Sequence, residues 1–340
     1  MLSNQNIISN INGMNDVFQI NKTDCMMGVL PFFHSFGFTA TLWLPLISGI
    51  RSCFHYNPLD GQTIGKLVSK HRASLLITTP TFLSSYTRKC SKEQFKSLRL
   101  VGVGAEKLKD RIAQAFMEKF GISPMEGYGC TELSPVVSMN IPNVMTVDGE
   151  QVGSKAGTVG HPLPGISVKV VSPHDFQKLN PGQSGVILVK GPNVMLGYLG
   201  EEEKTKEVIK DGWYLTGDIG QVDEDGFITI TDRISRFSKI AGEMVPHLKI
   251  EEEIHEILGV HERICVVTAI GDDSRGERLV VLLTVDFDHD QIIKSLSAKG
   301  FPNLWIPKRD SLFRIDKFPL LGSGKLDLVA VKELAFKCCL

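Results

Sequence analysis

The chain has 340 residues, 42% of them hydrophobic, and a formal net charge of −1, enough apolar content to bury a full core and to predict a two-domain protein. A near-neutral balance without a basic block excludes the electrostatic footprint of nucleic-acid binding. Cysteines at 25, 53, 90, 130, 265, 338 and 339 form no Cys-x-x-Cys pair, which predicts reduced thiols in a cytoplasmic protein rather than a disulfide framework.

The first sixteen residues are polar and Asn-rich, lack the layout of a signal peptide, and predict no secretion. Spacing predicts an amphipathic helix over 1–20 with Ile7, Ile8, Ile11 and Met14 on one face. A strand over 25–30 then enters Pro31-Phe32-Phe33-His34-Ser35-Phe36-Gly37. Taken alone, this stretch reads as an aromatic core turn around a satisfied histidine. The apolar run 36–50 contains Pro45 and Gly49 and falls short of the roughly 18 residues of a membrane span. It is expected to be a buried helix, with membrane contact at most peripheral.

A helix over 61–72, a strand over 74–79 and a helix over 81–89 alternate as in a parallel α/β sheet. Residues 98–105 form a strand entering a glycine turn at Gly104-Ala105-Glu106, followed by a helix over 109–120. A dinucleotide fingerprint would need glycine at position 107, where Lys107 stands. In the stretch 126–135, EGYGCTELSP, Gly127 and Gly129 around Tyr128 would let the backbone approach a flat ring. Thr131 offers a hydroxyl there and Glu132 a hard carboxylate for magnesium. A generic Gly-rich turn is the alternative reading.

From 150 to 232 the texture is β-rich, with strands over 166–171, 185–190, 220–223 and 227–231, predicting a small barrel or distorted sheet. Trp213-Tyr214-Leu215 stops at Thr216-Gly217-Asp218, so Asp218 is expected on a loop beyond the strand. Asp225-Gly226 between alternating stretches predicts a hairpin. After Asp232-Arg233 the composition changes. The expected division is a partial α/β core over 1–149, a β-rich part over 150–232 and an α+β domain over 233–340. The last is expected to contain helices over 248–258 and 288–299, strands over 264–270 and 279–285, and a basic segment over 306–318. Gly322-Ser323-Gly324-Lys325 is not a phosphate-binding P-loop, because Pro319 and Leu326 stand where that motif needs Gly and Ser/Thr.

Five stretches together resemble the adenylate-forming, AMP-binding ligases. They are Pro31-x-x-His34-x-x-Gly37; Tyr128-Gly129-x-Thr131-Glu132; Tyr214-Leu215-Thr216-Gly217-Asp218; Asp232-Arg233 through Lys239-Ile240-Ala241-Gly242; and Pro319-Leu320-x-x-x-Gly324-Lys325. The resemblance implies an incomplete parallel-sheet subdomain, a small β-barrel subdomain and a mobile α+β C-terminal lid. It implies ATP and Mg2+, with Gly104, Ala105, Glu106, Gly127, Tyr128 and Gly129 around the nucleotide and Asp218 and Arg233 on the ribose. Thr131, Glu132 and Lys325 would be catalytic, Glu132 would hold magnesium, and His34 and Phe36 would line an acyl pocket. Ser235 would be the hinge, where the family usually carries Asp or Lys.

Arg236 through Val245, with Pro319 through Lys325, more narrowly resembles the acyl-ACP synthetase part of bifunctional acyltransferase/acyl-ACP synthetases. That implies a long-chain fatty acid and the phosphopantetheine thiol of acyl carrier protein (ACP), with work at the inner face of the membrane. CoA stays open as the acceptor. The family's Ser/Thr/Gly-rich phosphate loop is expected just before a stretch like Met1-Leu2-Ser3 and does not occur in the sequence. The resemblance therefore implies a missing N-terminal ligase segment on the order of 150 residues. It leaves open a catalytically silent fragment that still binds nucleotide, acyl chain or carrier, and predicts exposed apolar surface and self-association. His55 and Asp60 match an acyltransferase H-x-x-x-x-D spacing, but lie between ligase stretches and lack a later Pro-Glu-Gly.

Overall fold

A computed structural model describes residues 1–147, 149–173, 175–260, 262–272, 274–320 and 326–339. The chain divides into two compact units, Met1–Thr231 and Asp232–Leu340.

In the first unit, Ser3 caps helix α1 (Asn4–Phe18), its hydroxyl accepting the Asn6 amide while the Asn6 carboxamide oxygen accepts the Ser3 amide. Ile11, Met14 and Phe18 are buried as the spacing requires, but Ile8 is exposed and Asn6 and Asn10 lie inside. The reason is polar. Asn6 donates to the carbonyls of Pro192 and Val194, and Asn10 both donates to and accepts from Val136, so buried amides tether the helix where apolar side chains could not.

Strands β1 (Cys25–Gly28), β2 (Arg51–Phe54), β3 (Leu75–Thr78), β4 (Leu100–Val103) and β5 (Met125–Gly129) run parallel, and β6 (Val136–Met139) returns antiparallel to β5. A small hairpin, β7 (Val144–Thr146) with β8 (Gly149–Gln151), precedes the short β9 (His161–Pro162). The order across the main sheet is β2-β1-β3-β4-β5-β6-β9. Chain progression reverses between β1 and β3, and in open α/β sheets ligands bind beyond the carboxyl ends of strands at such a reversal.

Between β1 and β2 the run expected as one buried helix is a widened π-type turn over Gly37–Trp43 followed by the short α2 (Leu44–Ser48), with Trp43, Leu46 and Ile47 exposed. Helices α3 (Gly61–His71), α4 (Pro80–Lys89), α5 (Lys92–Phe95) and α6 (Asp110–Phe120) complete the crossovers. Asp60 caps α3 and its carboxylate lies 3.3 Å from the His55 ring, so the His-Asp spacing closes a turn. At the amino end of β1, buried Asp24 takes two hydrogen bonds from Arg99, at 2.7 and 2.9 Å, and one each from Ser74 and Asn21. Burial alone would raise its pKa, but these donors outweigh it and hold the carboxyl at about 2.

A second, antiparallel sheet follows: β10 (Ser167–Val171), β11 (Gly185–Lys190), β12 (Ile209–Lys210) after helix α7 (Glu202–Val208), the long β13 (Trp213–Val222) and β14 (Ile228–Arg233). The predicted hairpin joins β13 to β14. Its loop is Glu224-Asp225-Gly226, with Gly226 at φ +86, rather than a two-residue turn. One face of this sheet buries Val170, Ile187, Val189, Tyr214 and Ile228.

The second unit begins with the hairpin β15 (Phe237–Ile240) and β16 (Glu243–Pro246), turned by Ala241 and Gly242 at φ +49 and +89, as a mirror-image two-residue turn demands. Helix α8 (His247–Leu258) leads to the antiparallel pair β17 (Cys265–Asp272) and β18 (Gly276–Leu283). Then come α9 (His289–Ala298), β19 (Leu312–Arg314) parallel to β18, and α10 (Leu328–Cys338). Alternation sorts the sheet's two faces. Val267, Val281 and Leu283 join Ile250, Ile254, Ile292 and Leu296, while Val266, Val280 and Leu282 join Val331 and Ala335. All seven cysteines are free. Among the described residues no helix is long and apolar enough to cross a membrane.

Candidate functional site

The loop beyond β1 carries the first group. The Phe36 amide donates to His34 Nδ1 at 3.2 Å and the Phe38 amide to the His34 carbonyl at 2.9 Å, so the histidine is held in the turn that starts the π-type segment. The Phe36 ring lies over Gly104, where an added Cβ would come within 3.3 Å of it. Ser35 Oγ is 3.0 Å from Thr131 Oγ1. Two expected acyl-pocket residues, His34 and Phe36, thus belong to a segment that touches the ends of both β4 and β5.

Beyond β4, the Gly104 amide donates to the Thr78 carbonyl, Ala105 takes φ +69, and Glu106 accepts the Thr81 hydroxyl at 2.6 Å. Glu126, whose pKa is raised by burial, accepts the Leu108 amide at 2.8 Å and ties this turn to β5.

At β5 the glycines have a different reason from the one the sequence suggested. A Cβ on Gly129 would lie 1.9 Å from the Pro135 carbonyl oxygen and one on Gly127 3.0 Å from that of Ser138. The close approach is therefore by the returning chain itself, with no flat ring needed to explain it. Tyr128 reaches out of β5 and donates from its hydroxyl to Asp218 Oδ2 at 2.5 Å. Burial first, and then the Asp218 charge, push the Tyr128 phenol well above its usual range.

Asp218 itself is not on a loop. It sits inside β13, at an irregularity where Thr216, Gly217 and Asp218 face the single residue Ile187 of β11, and it is 2% exposed. A bulge of this kind re-aims a side chain without ending the strand. Thr216 fixes it, donating to the Ile187 carbonyl at 2.9 Å and accepting the Asp218 amide at 3.0 Å.

Thr131 and Glu132 form a one-turn 3-10 helix, Thr131–Leu133. The Glu132 carbonyl accepts the Met195 amide at 2.8 Å, the Leu133 carbonyl accepts Asn193 Nδ2 at 2.9 Å, and Glu132 Oε1 accepts the Tyr198 hydroxyl at 2.9 Å. Tyr198 packs against the cluster that buries Tyr214, and burial raises both phenols. Ser35 and Thr216 lie inside two of the recognisable stretches without a role of their own there, and nothing local to Tyr198 points to Glu132. Tyr198 stands 66 residues from Glu132, and only the fold joins them.

Among the described residues no three His, Cys, Asp or Glu side chains gather as a metal would require. Glu132 is a single carboxylate on a fixed turn. Such a donor fits Mg2+ carried in on phosphates, since that ion commonly takes one or two carboxylates and leaves its other positions to phosphate and water.

Arg233 and Ser235 lie in the second unit, both exposed, at the head of a short turn, Ile234–Arg236. The Arg233 amide donates to Asp232 Oδ1 at 2.7 Å, and burial raises the Asp232 carboxyl to about 6. Lys325 lies outside the described residues; Leu320 and Leu326 pair in an antiparallel bridge.

The family model described as AMP-binding enzyme matches residues 1–199. The chain is 32% identical over 346 residues to the Dictyostelium discoideum protein named "Probable 4-coumarate--CoA ligase 2", covering 98% of this chain and 60% of that protein. With the long-chain-fatty-acid–CoA ligase of Salmonella typhimurium it shares 29% identity over 337 residues, 96% of this chain and 57% of the other. The chain thus spans about three-fifths of these relatives' length. ATP-bound MatB from Rhodopseudomonas palustris superposes with a TM-score of 0.81 at 27% identity, covering 100% of this chain and 66% of that one. O-succinylbenzoate CoA synthetase (MenE) from Bacillus subtilis, in complex with its acyl-adenylate intermediate, superposes with a TM-score of 0.80 at 23% identity, covering 98% and 65%. That likeness is one of fold alone.

Proposed function

Because the chain belongs to the AMP-binding enzyme family of adenylate-forming ligases, we propose that it takes part in activating a carboxylic acid with ATP for transfer to a thiol. The observation that carries this reading is a pair of carboxylates, Asp218 at the irregularity within β13 and Glu132 on the turn after β5, each accepting a tyrosine hydroxyl. One is suited to a sugar hydroxyl and the other to a cation.

In the first half-reaction an acid oxygen attacks the α-phosphorus of ATP, the bond from that phosphorus to the bridging oxygen breaks, and pyrophosphate leaves. Two anions must meet, so positioning and positive charge carry the catalysis. Asp218 holds the ribose hydroxyls, supported by Arg233. Gly104, Ala105, Glu106, Gly127, Tyr128 and Gly129 frame the base, and Thr131 faces the phosphates. Glu132 would hold a magnesium ion brought in on the phosphates, which would neutralise their charge. Lys325 offers a mobile point charge between acid and α-phosphate. In the second half-reaction the thiol attacks the acyl carbon and AMP leaves. Ser235 is the point about which the second unit turns between the two steps.

The acid is a long-chain fatty acid. Phe32, Phe33, Phe36 and Phe38 around His34 favour an apolar substrate, and the Salmonella relative is named for that class. CoA is the acceptor named for the relatives, while Arg236 through Val245 favour the phosphopantetheine of ACP.

Palmitate-dependent ATP–pyrophosphate exchange with Mg2+ tests the reading. Wild-type exchange is expected, with loss of at least a hundredfold, about 3 kcal/mol of transition-state stabilisation, in Lys325→Ala. ATP binding without exchange would overturn the catalytic reading and leave a nucleotide-binding protein.

A further inference from the structure

We propose that Tyr198 is a positioning residue for the Glu132 carboxylate, fixing the direction in which it meets a phosphate-bound magnesium ion. The inference rests on the reading of Glu132 given above. A glutamate on a one-turn helix has three side-chain torsions to fix. The structure restrains it at two points. Residues 193–195 grip the turn's backbone through the Leu133 and Glu132 carbonyls, and the Tyr198 hydroxyl grips Oε1 at 2.9 Å.

Tyr198 is itself held in place. Its amide donates to Thr205 Oγ1 at 2.9 Å, that hydroxyl donates on to the Glu201 carbonyl, and the Lys204 ammonium lies 5.0 Å from the centre of its ring. Its ring packs against the apolar cluster that contains buried Tyr214. With one carboxylate oxygen tied to a phenol, the other is left to point at the cation. Magnesium demands near-ideal octahedral geometry, so a pre-aimed oxygen removes a search that a loose side chain would have to make on each binding event. Groups that orient a metal's ligand in this way commonly change metal affinity 10- to 100-fold when removed.

Tyr198→Phe keeps the ring and its packing and removes only the donor. Mn2+ replaces Mg2+ as the probe, read by electron paramagnetic resonance in the presence of a non-hydrolysable ATP analogue, beside AMP affinity without metal and the melting temperature. Tyr198→Phe is expected to weaken Mn2+ binding about tenfold with AMP affinity and melting temperature unchanged, and to add nothing in a Glu132→Gln background. A melting temperature that falls while Mn2+ affinity holds would overturn the proposal and leave Tyr198 a packing residue. Should Glu132→Gln itself leave Mn2+ binding unchanged, the reading of Glu132 fails, an outcome distinct from failure of Tyr198→Phe alone.

Discussion

At the scale of single residues, the site's carboxylates were readable because each sits in a short run of recognisable types: Thr131-Glu132 after a glycine strand, and Asp218 after Thr216-Gly217. Their hydrogen-bond partners were not. Tyr128 meets Asp218 across 90 residues and Tyr198 meets Glu132 across 66, and a linear pattern does not encode such pairings. Asp24 shows the same limit away from the site. Its pKa is depressed, so it adds stability that is fully present above its unfolded value near 3.8 and is lost as pH falls towards about 2. Asp24→Asn is expected to cost about 2 kcal/mol at pH 7, measured by urea unfolding. The gap from wild type should close between pH 4 and 2, and a gap that stays constant to pH 2 would refute the linkage.

At the scale of elements, periodicity identified most helices and strands but misjudged two faces. Helix α1 was expected to bury Ile8, and instead buries Asn6 and Asn10 because two neighbouring backbone segments need amide partners. The run 36–50 was expected to be one buried helix, but widens to a π-type turn and exposes Trp43, Leu46 and Ile47. Helix α8 offers a test of its own. His247, its first residue, is buried 2.6 Å from Ser238 Oγ, and burial followed by the charges of Arg236 and Lys332 lowers its pKa to about 3. The unfolded chain therefore binds a proton near pH 6.5 that the folded one refuses until about pH 3, so stability falls with acidity across that window. Calorimetry of the full chain should show the second unit losing roughly 3 kcal/mol between pH 7 and pH 4. His247→Gln should flatten the dependence, and an unchanged slope would assign it to other groups.

At the scale of the whole molecule, the alternation of helix and strand gave the parallel sheet, and the turn-rich middle gave the antiparallel one. Strand order stayed hidden, because periodicity reports which face a residue takes and not which strand lies beside it. The order leaves β2 at an edge, with its residues largely exposed, Phe54 beside Phe32 at 5.4 Å between ring centres, and Phe33 and Tyr56 86% and 92% exposed. An apolar edge of this kind is prone to association. Sedimentation at rising concentration should show self-association that Phe33→Asp with Tyr56→Asp reduces, with thermal stability changed by no more than about 0.5 kcal/mol. A wild-type chain that stays monomeric throughout would refute it.

The contact between the β1 loop and the strand ends has a further consequence. Phe36 covers Gly104 and Ser35 meets Thr131, so the segment expected to receive an acid and the turns expected to receive a nucleotide do not move independently. Any acid that shifts this aromatic loop changes the free energy of nucleotide binding. Thermodynamic reciprocity then requires the nucleotide to change acid affinity by the same factor. The two ligands would read each other's presence through one phenylalanine ring and one pair of hydroxyls.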